Sequence, residues 1–189
     1  RHLRIDSNVG FSGGMNAALK LLFEDQSISS AICTSNDACF DEYFFMNLNE
    51  LILNSSLNGS EKIILCPHVK FLKDKTRSSY TYGKLCTDNF ELSHHIDEQR
   101  QEPICFPEYY PAAVTIWSRG AYKCLQGFNS NYFCYWEDVE LSFRCKNYSV
   151  ALIPSPKTTV FHLGRGTTQN KAAYRQHFAK GKELTKLTI

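Results

Sequence analysis

The chain lacks the apolar run of roughly 18 residues or more that crosses a bilayer, which excludes an integral membrane segment within these residues. It also lacks charge of one dominant sign, with 21 Lys and Arg against 19 Asp and Glu and a formal net charge of +2. There is no run of five or more basic residues, so nothing argues for nucleic acid as a partner. Cys-x-x-Cys pairs are absent too. Cys33, Cys39, Cys66, Cys86, Cys105, Cys124, Cys134 and Cys145 are spread along the chain, which argues against a zinc site and against a disulfide framework. Cys66, after Ile63-Ile64-Leu65, sits in an apolar run where a free thiol acts as a small hydrophobe. The expected compartment is reducing, and the expected location cytoplasmic. Acceptor tripeptides for N-glycosylation begin at Asn54, Asn58 and Asn147, but so short a pattern recurs by chance.

What is present is enough for a core. In 189 residues, 43% are apolar and 13% aromatic, which suits one folded domain. Met15 to Phe23 carries apolar residues at helical spacing, with Asn16 in its first turn. Ala31-Ile32-Cys33 reads as a short buried strand, with Asp37 just past its carboxyl end, where open α/β sheets bind ligands. Tyr43 to Leu53 looks helical and Lys62 to Leu72 strand-like. From Lys73 to Pro111 the sequence is polar and without a period, long for a plain connection, and is expected to hold a hairpin or a mobile substrate loop. Ala112 to Trp117 reads as a strand, Gly120 to Leu125 as a short helix, and 137–146 as an amphipathic helix. Val150 to Ile153 and Thr159 to Phe161 read as two short strands on either side of Pro154 and Pro156, and Arg1 to Ile5 as another. The tail from Thr167 is basic and helical in pattern. Strands alternating with helices predict an α/β domain with a mixed sheet.

The chemistry centres on Trp136-Glu137-Asp138, where two adjacent carboxylates open a helix. Acidic residues in a first turn also serve the helix dipole alone. His162 closes an apolar run after two prolines, and Ser35-Asn36-Asp37 closes another. A carboxylate, a carboxylate pair and an imidazole are what a metal-assisted transfer to a hydroxyl needs. His94-His95 with Glu91 and Asp97 are metal-ligating residue types, for which a solvated loop is the default, and Trp117 and Trp136 are either core or sugar-stacking rings.

These residues carry a resemblance. Asn8-Val9-Gly10-Phe11-Ser12-Gly13-Gly14-Met15-Asn16, Ser35-Asn36-Asp37, Gly127-Phe128-Asn129 leading into Tyr135-Trp136-Glu137-Asp138, and Val160-Phe161-His162 stand in the order found in family 2 glycosyltransferases. In that order the chain resembles the rhamnosyl- and galactofuranosyltransferase type. The resemblance implies a GT-A-like, partly Rossmann-like mixed sheet flanked by helices, with 1–166 as the catalytic domain and 167–189 as a basic helix. It implies Asp138 as general base, with Glu137 positioning the acceptor or tuning its neighbour. Asp37 and His162 become ligands of a divalent cation, manganese or magnesium. Asn8, Gly10, Asn16 and Ser35 become candidates for the pocket of a nucleotide-sugar donor, and Trp136 for the acceptor, a glycan or lipid-linked glycan.

The family usually has Asp or Asn where this chain has Ser35. Its domain also begins with an earlier strand, helix and strand, so the chain is expected to be an amino-terminally incomplete piece. Lys171, Arg175, Lys180, Lys182 and Lys186 suit either a solvated helix face or peripheral contact with anionic lipid. Two other classes stay open. A noncatalytic glycan-binding or assembly domain on the same scaffold is one, and a nucleotidyltransferase is the other, although no glycine-rich, basic triphosphate loop is visible.

Overall fold

The computed structural model describes residues 2–54, 61–79, 81–163 and 171–189. In chain order, α1 (Gly10–Glu24) leads to β1 (Ser30–Thr34), β2 (Ala38–Phe40), α2 (Phe44–Asn54) and β3 (Ile63–Phe71). Then come β4 (Tyr82–Cys86), β5 (Glu91–His95), β6 (Glu108–Tyr109), β7 (Val114–Ser118) and α3 (Arg119–Leu125). The chain closes with α4 (Glu137–Asn147), β8 (Ala151–His162) and α5 (Lys171–Thr188). The result is a mixed sheet flanked by helices.

The sheet runs β1-β7-β3-β8-β2, and a smaller one runs β5-β4-β6. Strand β7 is antiparallel to both β1 and β3, β3 is parallel to β8, and β2 is antiparallel to β8. The carboxyl ends of β1, β3 and β8 therefore share one end of the sheet with the start of β7. Alternation sets the two faces. Ile64, Cys66 and Leu152 face a core shared with Leu19 and Phe23 of α1, Ala121 of α3 and Leu141 of α4. Leu65, Val114, Ile116 and Val160 meet Phe44 and Leu48 of α2 on the other side. Leu85, Tyr109, Trp136 and Val139 build a third cluster with Phe178 of α5, which docks the small sheet and the last helix on α4.

Trp117 is fully buried, with its indole N–H donated to the Thr115 hydroxyl at 2.9 Å, so it is core and not a stacking platform. Arg119 closes the far end of α1 by donating to the Phe23 and Ile28 carbonyls at 2.8 and 2.9 Å. Within the polar region from Lys73 to Pro111, the hairpin alternative is the one realised, as β4 and β5.

Three expectations change. The strands on either side of Pro154 and Pro156 are one strand, β8, with Pro67 opposite Ser155 and His68 opposite Thr159. The bulge absorbs the missing proline N–H groups, and buried Thr158 closes it by donating to the Ser155 carbonyl at 3.0 Å. Residues 2–5 form no strand and are exposed. The glycine-rich stretch is not a loop, because α1 begins at Gly10 and carries Gly13 and Gly14 in its interior. Asn16 lies beyond the first turn. Of the tail, 167–170 fall outside the described residues, and Lys171 onward is helical as expected.

Candidate active site

Asp37 lies on the segment that crosses the end of the sheet, from β1 on one edge to β2 on the other. His162 ends β8 opposite Ala38, and its Nε2 lies 3.0 Å from Asp37 Oδ1. The main chain holds the same pairing, with the Leu163 N–H donating to the Asp37 carbonyl at 3.0 Å. Burial works to raise the Asp37 carboxyl. The Ser35 hydroxyl and the charge and hydrogen bond of His162 outweigh it and hold the pKa below the ordinary value. Asp37 and His162 are both half-buried, their side chains 14% and 24% exposed, so each can be reached from solvent.

The carboxylate pair sits at the same end of the sheet. The Ser35 N–H donates to the Ala113 carbonyl at 2.9 Å, just before β7 begins, and the adjacent Ala112 N–H meets the Asp138 carboxylate. The Val139 N–H donates to Asp138 Oδ1 at 2.9 Å. Two consecutive residues in the left-handed region, Tyr135 (φ 71°) and Trp136 (φ 70°), aim the start of α4. Neither is glycine, and such backbone costs about 1–3 kcal/mol per residue. Trp136 donates no side-chain cap, and Glu137, Asp138 and Glu140 supply the negative charge that the helix start favours.

Burial pushes Glu137 up to about 8, with the charge of Asp138 adding to it. Burial also pushes Asp138 up to about 6, against the backbone N–H groups of Val139, Asp138 and Ala112 that favour its charged form. Near neutral pH the pair therefore retains a proton that two free carboxyls would have lost, and that titration belongs to the pair as a unit. One Glu137 oxygen, Oε2, is buried with no hydrogen-bond partner among the described residues. This is an acid and a base side by side in a partly dry setting.

The first and third motifs of the sequence meet here as architecture. The Asn16 side-chain carbonyl accepts from the Phe128 N–H at 2.7 Å, and its amide donates to the Phe128 carbonyl at 2.7 Å and to the Ser130 hydroxyl at 3.0 Å. Asn16 is therefore a clamp on the loop before α4 and has no amide proton left for a donor. Gly10 (φ 73°) lets the Phe133 carbonyl approach, since a Cβ there would lie 2.2 Å from that oxygen, and the Phe11 N–H donates to it at 2.7 Å. Its place is explained by packing against the chain. Asn8 is exposed and accepts from the Gly10 N–H at 3.1 Å. Trp136 is 2% exposed and packs edge-on against Phe178, so neither face of its ring is open to a sugar. The acceptor role expected of it is corrected to core.

His94 and His95 follow the default. His94 pairs with the Tyr109 hydroxyl at 2.9 Å and His95 with that of Ser93 at 3.0 Å. Among the described residues, no group of three or more His, Cys, Asp and Glu side chains is placed to hold a metal ion. Asp37 and His162 could offer two ligands at most, so a cation there would need its remaining ligands from substrate or water. Burial pushes the Cys134 thiol up to about 12, which removes the cysteine nearest Glu137 as a nucleophile. Sequence reasoning missed the Ala112 amide on Asp138 and the left-handed pair, because neither depends on a recognisable side chain. No helix among the described residues is long and apolar enough to cross a membrane. No protein-family model matches the chain, and no curated protein matches its sequence.

Proposed function

We propose that the chain is the catalytic part of an inverting, metal-assisted glycosyltransferase with a GT-A-like fold. It moves a sugar from a nucleotide-diphosphate donor to a glycan or lipid-linked glycan. The observation that carries this reading is the meeting of Asp37 and His162 at 3.0 Å, at the end of the sheet where Asp138 engages Ala112. Residues far apart in sequence come together as an oxygen–nitrogen pair, at the same end of the sheet as a raised carboxyl.

In this reading Asp138, ionised above about pH 6, takes the proton of the acceptor hydroxyl. The acceptor oxygen forms its bond to the anomeric carbon as the bond from that carbon to the diphosphate oxygen breaks, on the opposite face. Protonated Glu137 donates a hydrogen bond to the acceptor without competing for its proton. Asp37 and His162 would hold manganese or magnesium, which would supply neutralising charge for a diphosphate leaving group. Manganese is the better match for a site with one imidazole. The same reading puts the domain on the cytoplasmic side of a membrane, with exposed Lys171, Arg175 and Lys186 on one side of α5 facing anionic lipid.

The test is release of nucleoside diphosphate from a panel of sugar nucleotides, with acceptor glycans and manganese. Release that manganese stimulates, and that Asp138→Asn abolishes, is the expected result. Release that is unchanged in Asp138→Asn and in Asp37→Asn overturns the reading.

A further inference from the structure

Beyond the Asp37–His162 pair, at the end of β3, lies an open cleft of about 200 Å³ lined by Phe71, Lys73, Asp74, Arg77 and Leu163. We propose that this cleft is a phosphate-binding subsite, in which Lys73 and Arg77 hold a diphosphate against the cation of the neighbouring pair. The inference rests on the reading of Asp37 and His162 as metal ligands and names the group they would share.

The geometry joins the two places directly. The Leu72 N–H donates to the His162 carbonyl at 2.9 Å, and Leu163, on the cleft wall, donates to Asp37. Phe71 and His162 are register partners on parallel strands, so their side chains leave the same face of the sheet. The Arg77 guanidinium lies 5.3 Å from the centre of the Phe71 ring, so it stands over the ring that leaves that face.

The turn that carries the cations is built rather than loose. The Phe71 N–H donates to the Arg77 carbonyl and the Arg77 N–H to the Asp74 carbonyl, each at 3.0 Å. The one acid in the wall is held within the turn by one oxygen, since Asp74 Oδ1 accepts from the Thr76 hydroxyl at 2.7 Å and from its N–H at 3.2 Å, and the Arg77 charge also acts on it. Among the described residues, neither Lys73 nor Arg77 has a carboxylate within ion-pair distance. Two cations without such a partner, on a wall whose main chain bonds to that of Asp37 and His162, match a group with oxygens to share between them. A diphosphate is that group.

Two sources carry this chemistry, the nucleotide donor and a lipid-linked acceptor. The probe is inorganic pyrophosphate, titrated calorimetrically into the protein with and without manganese. Lys73→Gln with Arg77→Gln should weaken its binding about 10–100-fold, while Lys73→Arg with Arg77→Lys keeps most of it. Near-ultraviolet circular dichroism checks that each variant folds. If manganese fails to strengthen binding that still depends on Lys73 and Arg77, the subsite stands and the metal pair falls. If manganese strengthens binding through Asp37 and His162 while the glutamine variant binds as wild type, the subsite is overturned and the metal pair stands. Displacement of pyrophosphate by a nucleoside diphosphate assigns the cleft to the donor. Displacement by a polyprenyl diphosphate in detergent micelles assigns it to the acceptor, and displacement by neither overturns the proposal.

Discussion

Helix α4 carries two buried carboxyl sites within one turn, and they are treated in opposite ways. Glu140 is 1% exposed and meets Arg144 at 2.7 Å, and the same guanidinium donates to the Leu125 and Gly127 carbonyls at 2.9 and 3.0 Å. Glu137 is 8% exposed and, among the described residues, has no cation within ion-pair distance and Asp138 as its charged neighbour. Burial with a partner yields a fixed ion pair that pins the loop before the helix. Burial without one yields a carboxyl whose proton is held into the alkaline range. The contrast separates a brace from a group that the proposed function would use for proton transfer, on one helix.

The largest expected effect breaks the contrast at its reactive half. Asp138→Asn keeps the shape and can still accept from the Ala112 and Val139 N–H groups, but it cannot take a proton, so turnover should fall by ~10²–10⁴. Donor binding and thermal unfolding should stay near wild type. The wild-type rate should show an acidic limb near pH 6, set by Asp138. Single-turnover assays across pH check both. Near-normal turnover in the variant moves the base elsewhere, with Glu137 next.

Breaking the other half should cost stability rather than rate. Arg144→Met leaves Glu140 buried without its cation and releases two loop carbonyls, for a loss of about 3–5 kcal/mol. Denaturant unfolding measures it. A loss below about 1 kcal/mol would mean that the Glu140–Arg144 pair does not brace the helix, and the distinction between the two carboxyl sites would lapse.

The alternation of strands and helices, and the mixed sheet it builds, were legible because they rest on apolar periodicity. Asp37 and His162 were legible as a pair only through the order of motifs, and the structure brings them together. What the sequence hid was hidden for physical reasons. Pro154 and Pro156 read as breaks because a proline offers no N–H, yet a bulge closed by Thr158 carries β8 past them. Asn16 and Gly10 looked like ligand residues, because a residue that clasps its own backbone has the same chemistry as one that clasps a substrate. Trp136 looked like a platform because nothing in sequence marks which tryptophan a later helix will cover.

A smaller effect sharpens the contrast through pH. The folded pKa values of Glu137 and Asp138 both lie above their unfolded values, so the stability they contribute is fully present below about pH 4. It is lost as pH rises through about 6 and about 8. Unfolding free energy should fall by a few kcal/mol over that window. Glu137→Gln should flatten the fall. Denaturation at a series of pH values tests this, and a profile that is flat in the wild type would show that Glu137 is ionised in the fold.

The smallest effect extends the bracing side of the contrast to the far end of the same loop. Asn16 holds both main-chain groups of Phe128, and Arg144 holds the Gly127 carbonyl one residue away, so the segment before α4 is gripped from two helices. Asn16→Ala removes those hydrogen bonds and leaves the half-buried Phe128 N–H and carbonyl unpaired, a loss of about 1–3 kcal/mol. For a chain of this size that lowers the melting temperature by roughly 2–4 °C per kcal/mol. A clamp and a donor ligand predict different readouts. If Asn16 acts on the loop, melting falls while the KM for the sugar nucleotide is kept at temperatures where the variant is folded. If Asn16 touches the donor, KM rises at an unchanged melting temperature, and its assignment returns to the pocket that the sequence suggested.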